Sequence, residues 1–208
     1  MISPPFIHLH VHTAYSLLEG AIKVEHLVKK TVQDGLPAVA MTDKGNVFGA
    51  MALAHSGVDN GVQPILGCEL LIRLDDPTRK FGEPQFKKVV VLVKNEEGYT
   101  SIRHLFRTYY MGAGKEDVPH LTLEEFISQP RGLIVLTGGP DGLINACLLN
   151  KREDQAKSIL QTLQGAFPGR LYIELQRHGT AEEAQTEPSL LQLALDLNIP
   201  IVATNEPF

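Results

Sequence analysis

Nothing in this sequence is a run of the roughly 18–20 apolar residues needed to cross a bilayer, so no segment reads as a membrane span. A basic surplus is also lacking: 19 Lys and Arg stand against 24 Asp and Glu, for a formal net charge of −5. Modules that grip nucleic acid unaided usually carry excess positive charge, because phosphate contacts supply most of the affinity. Any DNA contact made here is therefore expected to need a neighbouring domain. Cysteine is scarce, and Cys68 and Cys147 follow no metal or disulfide spacing. The opening Met1-Ile2-Ser3-Pro4-Pro5 has neither the basic start nor the apolar core of a signal peptide. These absences lead us to expect a protein of the reducing cytoplasm, without a membrane partner. No Gly-x-x-x-x-Gly-Lys-Ser/Thr loop and no Gly-x-Ser-x-Gly elbow occurs, which argues against nucleotide-driven phosphoryl transfer and serine hydrolysis. No internal repeat of fixed period is visible.

What is present is a regular exchange of short apolar runs and longer helical patterns, over 208 residues that suffice for one sizeable core. Strands are predicted at 6–10, 38–42, 64–70, 88–93, 133–137, 171–175 and 199–204, several of them rich in Val and Ile. Between them, 24–34 places Leu27, Val28 and Val32 on one helical face and stops at Gly35. Helical patterns also cover 47–60, 97–110, 153–167 and 182–198, the last with Pro188 predicting a later start or a kink. Thr122-Leu123-Glu124-Glu125 offers a capping box to a short helix before Pro130. The stretches 75–85 and 111–119, with Gly, Pro and charge, read as excursions. Strand–helix–strand alternation predicts parallel strands covered by helices, in an open sheet or a closed barrel.

The polar residues favour the barrel. In a β/α barrel the functional side chains gather at the C-terminal ends of the strands. The predicted strands run into His8-Leu9-His10-Val11-His12, Asp43-Lys44-Gly45-Asn46, Gly67-Cys68-Glu69, Thr137-Gly138-Gly139, Gln176-Arg177-His178-Gly179 and Asn205-Glu206. Alternate spacing puts His8, His10 and His12 on one side of a regular strand. Two imidazoles joined by a carboxylate from another strand make a first shell for zinc or manganese, and Glu69 and His178 stand at equivalent strand ends. Glu69 could equally pair with a lysine. His26, His55, His104 and His120 lie in helical or loop contexts and read as surface residues. The run Gly138-Gly139-Pro140-Asp141-Gly142 is either a phosphate cradle or a tight strand-to-helix connection.

Several blocks together carry a family resemblance. Phe6-Ile7-His8-Leu9-His10-Val11-His12-Thr13-Ala14-Tyr15-Ser16-Leu17-Leu18-Glu19-Gly20-Ala21 resembles the opening of bacterial DNA polymerase III alpha subunits. So do Met41-Thr42-Asp43-Lys44-Gly45-Asn46-Val47-Phe48-Gly49 and Pro64-Ile65-Leu66-Gly67-Cys68-Glu69. Further blocks are Val93-Lys94-Asn95-Glu96-Glu97-Gly98-Tyr99, Tyr172-Ile173-Glu174-Leu175-Gln176-Arg177-His178-Gly179 and Val202-Ala203-Thr204-Asn205. They run in family order along nearly the whole chain.

The resemblance implies a PHP (polymerase and histidinol phosphatase) domain over 1–208, an α/β fold built as a distorted seven-stranded, TIM-like β/α barrel. It implies that the domain is the N-terminal part of a much longer polymerase chain. The palm aspartates and the magnesium of polymerisation would lie further on, so no catalytic residue for polymerisation is expected here. In the superfamily the barrel mouth holds up to three metal ions for phosphoester hydrolysis. In some polymerases it proofreads; in others it is inactive, stabilises the polymerase and docks a separate proofreading exonuclease subunit, and the resemblance leads us to expect this scaffold and docking role here. Carried over by position, His10 and His12 match the family's first metal-binding pair, Glu69 its glutamate, and His178 its Arg-His-Gly segment. Glu19 stands where an aspartate is usual. The departures are Lys44 and Lys88 in place of histidines, Gly139 in place of a cysteine, and Glu206-Pro207-Phe208 in place of Asp-x-His. The expectation is thus a weak or vestigial site of His10, His12, Glu69 and His178, rimmed by Glu19, Asp43, Lys44, Lys88 and Glu206. No cofactor is firmly expected beyond residual zinc or manganese. The lysines are expected to pair with Glu69, Glu206 or Glu19. Partners implied are the remaining polymerase domains, the proofreading subunit, and primed DNA with dNTPs through the parent enzyme. The enzyme alternative is a metal-dependent PHP phosphoesterase.

Overall fold

The runs richest in Val, Ile and Leu are the ones that extend and pair. The computed structural model describes residues 6–74, 85–112 and 118–208. Its strands are β1 (Ala38–Met41), β2 (Gln63–Leu74), β3 (Gln85–Val93), β4 (Leu133–Leu136), β5 (Leu171–Leu175) and β6 (Ile201–Ala203). Its α-helices are α1 (Val24–Gln33), α2 (Ala50–Asn60), α3 (Glu96–Met111), α4 (Leu123–Ile127), α5 (Leu143–Leu149), α6 (Glu153–Ala166) and α7 (Ala181–Leu197). The chain divides into two units, residues 1–69 with 204–208, and residues 70–203. Among the described residues no helix is long and apolar enough to cross a membrane.

In the first unit β1 lies parallel to β2, in register from Ala38 opposite Gln63 to Met41 opposite Leu66. The predicted strand at 6–10 survives as one parallel bridge between His8 and Val39, with the Ala40 amide donating to the His8 carbonyl at 2.8 Å. The chain bends at His10, which ends regular pairing there. Helices α1 and α2 pack on each other, and Val11, Val24, Leu27, Val28, Val39, Met41, Leu53 and Val62 form the buried cluster. Each such side chain contributes roughly 1.5–3 kcal/mol when fully buried. This apolar layer is what holds the strand ends of the unit in place.

In the second unit the hydrogen-bonded order is β2-β3-β4-β5-β6. Strands β4, β5 and β6 are parallel, as the alternation predicts, with Val135 opposite Leu171 and Ile173 opposite Ile201. The β3–β4 pair is antiparallel, Val90 opposite Leu136, and corrects the expectation of parallel strands throughout. A parallel crossover needs a dozen or more residues, usually with a helix. The connection from β3 to β4, residues 94–132, holds α3 and α4, so its length does not dictate the antiparallel sense and the alternation pattern alone misleads there. The predicted excursions fall largely on residues 75–84 and 113–117, outside the described residues.

Helix α5 has no counterpart among the predicted elements. Its sequence is apolar on every side, Leu143, Ile144, Ala146, Cys147 and Leu148 are buried with Asn145, and it packs against α6 and α7. A helix covered all round shows no 3.6-residue alternation to read. Helix α7 starts at Ala181 and carries Pro188 inside it. The start is secured by Thr180, whose hydroxyl accepts from the Glu183 amide, while Glu183 accepts from the amides of His178, Gly179 and Thr180 at 2.8, 2.8 and 3.0 Å. The same reciprocal box caps α4 through Thr122 and Glu125, where the sequence predicts it.

Burial would push the Glu183 carboxyl upward, but the His178, Thr180 and Gly179 amides and the His178 ring outweigh it and hold the group below its ordinary value. A depressed folded-state pKa contributes stability above the unfolded value, and that contribution disappears as pH falls through the folded value. Glu183→Gln is expected to lower stability by about 1 kcal/mol at neutral pH, the usual worth of a helix cap. Denaturant titrations at falling pH should show the gap between the two proteins closing below the normal carboxylate range. A gap that does not change with pH would refute the role of the charged form.

Candidate metal centre

Four side chains of the first unit meet at one point. His10 and His12 come from the segment beside β1, Glu69 from the end of the β1-paired half of β2, and Glu206 from the segment after β6. One ligand atom from each lies within 4.8 Å of every other. The group is buried, with side-chain exposures of 0% for both histidines, 5% for Glu69 and 8% for Glu206.

Backbone pairing explains how each arrives. Glu69 is held beside Asp43 and Lys44 by its amide donating to the Asp43 carbonyl at 3.0 Å and by the Gly45 amide donating to the Glu69 carbonyl at 2.8 Å. His10 and His12 face the cluster together with ring centroids 5.2 Å apart, and the bend at His10 breaks the alternation that would have put His8 beside them. His8 goes elsewhere. It meets Phe6 edge-on and lines a cavity of about 390 Å³ with Ile22, His26, Leu27 and Leu36. Glu206 reaches the cluster from a left-handed backbone, φ 42°, a conformation that non-glycine residues adopt at a cost. The His12 amide donates to the Pro207 carbonyl at 2.9 Å, which fastens that segment to the histidines. The Phe208 ring then stacks on His12, 4.4 Å between centroids and 13° between planes.

The spacing within the cluster is informative. His10 Nε2 stands 3.4 Å from Glu69 Oε2 and 3.8 Å from Glu206 Oε1, and His12 Nε2 stands 3.5 and 3.4 Å from the same two oxygens. Charge-assisted N–H···O bonds close to about 2.7–2.9 Å. Four ligands bound tetrahedrally at about 2.0–2.1 Å would be about 3.3–3.4 Å apart. The four edges between an imidazole and a carboxylate fit the second geometry better than the first, and His12 Nε2 is a buried nitrogen with no hydrogen-bond partner. Two imidazoles and two carboxylates are also a donor set suited to zinc, and their two negative charges balance a divalent ion. The residues present therefore fit a single divalent ion.

The other predicted rim residues take different places. Asp43 is fully buried and accepts from the Thr13 amide at 2.6 Å, the Thr13 hydroxyl at 2.7 Å and the Ser16 hydroxyl at 2.6 Å. Lys44 pairs with Glu19 on the half-exposed edge, one of the three partners expected for it, and its ammonium lies 5.4 Å from the centre of the Phe208 ring. In the second unit the Lys88 ammonium is 3.7 Å from an Asp141 carboxylate oxygen. His178 there directs Nδ1 at Glu183 Oε1, 3.0 Å away, at the start of α7. The fourth member of the described cluster is thus Glu206, placed by sequence at the rim, while His178 serves a helix cap. The Gly138 amide, one candidate donor of the phosphate cradle, is taken by Glu174 Oε2 at 2.9 Å. Cys68 and Cys147 are buried free thiols, and burial pushes Cys147 up to about 11, so neither is poised as a nucleophile.

Comparison with known proteins gives this arrangement a context. Residues 8–178 match the PHP domain family. The chain is 35% identical over 205 residues to the DNA polymerase III subunit alpha of Caulobacter vibrioides, covering 98% of this chain and 18% of that protein. Against the Vibrio cholerae subunit the identity is 32% over 206 residues, covering 99% and 17%. The chain thus spans about one sixth of the length of the curated relatives it matches. A Bifidobacterium adolescentis structure, proposed to be a metal-dependent phosphoesterase, superposes with a TM-score of 0.63 at 15% identity, covering 97% of this chain and 87% of that one. An amidohydrolase from Chromobacterium violaceum, solved with sulfate and no metal, gives 0.59 at 13% identity, covering 96% and 86%. These two likenesses establish a common α/β fold. Six strands are assigned among the described residues against the seven predicted, the first being reduced to the His8 bridge.

Burial opposes a charged His12, but the Glu206 and Glu69 carboxylates facing Nε2 outweigh it and raise its pKa above the ordinary imidazole value, against a smaller opposing push from His10. A raised folded-state value adds stability below the unfolded value that is lost as pH rises through the folded one. In chelator-treated protein, NMR titration of His12 is expected to give a midpoint above about 6.5, the reference for a free imidazole. Glu206→Gln should bring that midpoint down. An unchanged midpoint would mean that Glu206 does not act on the ring.

Proposed function

The chain belongs to the PHP domain family, and from that premise we propose that it is the scaffold domain of a replicative DNA polymerase alpha subunit, with one structural divalent ion. The carrying observation is the buried meeting of His10, His12, Glu69 and Glu206 at ligand spacing. Zinc is the first choice of ion, with manganese second, on the chemistry of the donors. Four protein ligands close a tetrahedral shell, the pattern of structural sites, whereas catalytic sites keep a position open for water. When bound, the ion would supply charge neutralisation and a cross-link between segments far apart in sequence. His10 and His12 would each present a nitrogen lone pair, and Glu69 and Glu206 would bring the negative charge.

This reading keeps the scaffold role expected from the sequence and replaces a vestigial site containing His178 by a complete one containing Glu206. The Lys44 ammonium pairs with Glu19, and exposed pairs of this kind add at most about 1 kcal/mol. Polymerisation of dNTPs on primed DNA, with its magnesium, belongs in this proposal to the remaining domains of a longer chain. A proofreading exonuclease subunit is the proposed docking partner. Membership of one domain over 1–208 is likewise part of the proposal. The phosphoesterase reading is favoured by the fold of the Bifidobacterium protein, and it would require an open coordination position that a four-ligand shell does not leave.

Elemental analysis of the purified chain after dialysis is expected to give close to one zinc per chain. Glu206→Ala should weaken zinc binding by about 10-fold or more, and His178→Ala should leave it unchanged, with helix stability measured alongside. A metal-free wild-type chain that does not take up zinc on titration would overturn the structural-ion reading. Dependence of binding on His178 would restore the set expected from sequence. Assayed on primed template, the chain should incorporate no nucleotides, and on single-stranded DNA it should release none. Metal-dependent release abolished by His10→Ala would establish the phosphoesterase instead.

A further inference from the structure

Ser16 is not among the ligands, yet its hydroxyl touches one of them. Its oxygen lies 3.0 Å from His12 Nδ1, 2.6 Å from Asp43 Oδ1 and 3.2 Å from the Lys44 amide nitrogen. Ser16, His12, Asp43 and Thr13 are all fully buried, so no water competes for these bonds. The turn that presents Ser16 runs from Thr13 to Gly20, with the Ser16 amide donating to the Thr13 carbonyl at 2.8 Å and the Gly20 amide to the Ser16 carbonyl at 2.8 Å. A Cβ at Gly20 would meet the Thr13 carbonyl oxygen at 1.9 Å, so the turn closes this tightly only with glycine there.

A hydroxyl has one proton to give and two lone pairs to receive. The Lys44 amide can only donate, which occupies one lone pair. Asp43 as a carboxylate can only accept, and the 2.6 Å contact has the length of an O–H···O⁻ bond, so the single proton points at Asp43. The Thr13 amide donates to the same Oδ1 and the Thr13 hydroxyl to Oδ2, which holds that carboxylate in place. The one role left for His12 Nδ1 is to donate. Its proton is then on Nδ1, and Nε2 keeps its lone pair, aimed between Glu69 and Glu206 at 3.5 and 3.4 Å.

We propose that Ser16, oriented by Asp43, is the positioning residue that fixes His12 as the Nδ1–H tautomer and so presents Nε2 as a metal ligand. This rests on the metal reading above for its consequence, though the ring orientation does not depend on it. The direction of proton donation runs from His12 to Ser16 to Asp43, and each step follows from the donor inventory of the next group. Ordinarily a carboxylate or carbonyl receives the second nitrogen of a ligating histidine directly. Here a hydroxyl is interposed, and a carboxylate one bond further on sets its polarity.

The test compares the wild-type chain with Ser16→Ala, Ser16→Thr and Asp43→Asn, each first checked for cooperative unfolding. Zinc affinity is measured by competition with a chromophoric chelator, and the protonated ring nitrogen of His12 by 15N-histidine NMR. Expected are an Nδ1–H ring in the wild-type chain and a Kd for zinc raised about 10–100-fold in Ser16→Ala. Ser16→Thr, which keeps the hydroxyl, should recover most of the affinity. Asp43→Asn should keep its amide oxygen where Oδ1 stood, because the Thr13 amide donates to that same atom, so its ring should stay in the Nδ1–H form. A folded Ser16→Ala protein whose affinity lies within about threefold of wild type, well short of the second-shell effect, would overturn the proposal. So would a wild-type ring protonated on Nε2. Should the wild-type chain take up no zinc, the metal reading fails, and the ring spectrum of the metal-free chain at alkaline pH still decides the orientation.

Discussion

Two glutamates buried within a few ångströms of each other set the terms for everything around them. Glu69 and Glu206 bring carboxylate oxygens into a group whose ligand atoms lie within 4.8 Å of one another. At that separation and an effective dielectric near 20, like charges repel by roughly 3–4 kcal/mol. Burial adds a desolvation cost that only a counter-charge offsets. Burial lowers the pKa of His12, but the two carboxylates facing it outweigh that and raise it above the ordinary imidazole value. With a divalent ion the histidines can be neutral and the four donors satisfied at once. The left-handed backbone at Glu206, the stacking of Phe208 on His12 and the Ser16 contact to the same ring all lie at this meeting point.

How much of this is legible without coordinates depends on whether the signal is local. Strands announce themselves where β-branched residues cluster, as at Val89-Val90-Val91, and the box at Thr122 and Glu125 is a four-residue pattern found where it is predicted. An identical box at Thr180 and Glu183 sits among other polar residues, beside His178, whose ring nitrogen lies 3.0 Å from that same glutamate. Helix α5 escapes because full burial removes its periodicity. The antiparallel β3–β4 pair escapes because the apolar runs look the same in either sense.

At the site, His10, His12 and Glu69 are legible because their strand-end positions place them on one rim. The fourth partner is harder. Glu206 follows β6 and depends on a backbone turn with φ 42° to point inward, and no residue pattern in Asn205-Glu206-Pro207 declares that angle. His8 misleads for the converse reason, since alternation assumes a regular strand and the chain bends at His10. Ser16 is invisible in sequence because its partners lie at positions 12, 43 and 44, joined only by the fold.

The division of the first unit into residues 1–69 and 204–208 has a consequence for the time at which it can form. A chain made from its N-terminus emerges with His10, His12 and Glu69 early and Glu206 about two hundred residues after His10. At synthesis rates of about 5–20 residues per second, that interval is on the order of 10–40 seconds. Throughout it the nascent chain holds three of the four cluster residues without the strap that carries the fourth. The second unit, residues 70–203, is synthesised entirely within this interval and has the opportunity to fold first. Residues 204–208 then arrive as a latch, so that completion of the N-terminal cluster reports that everything between has already left the ribosome.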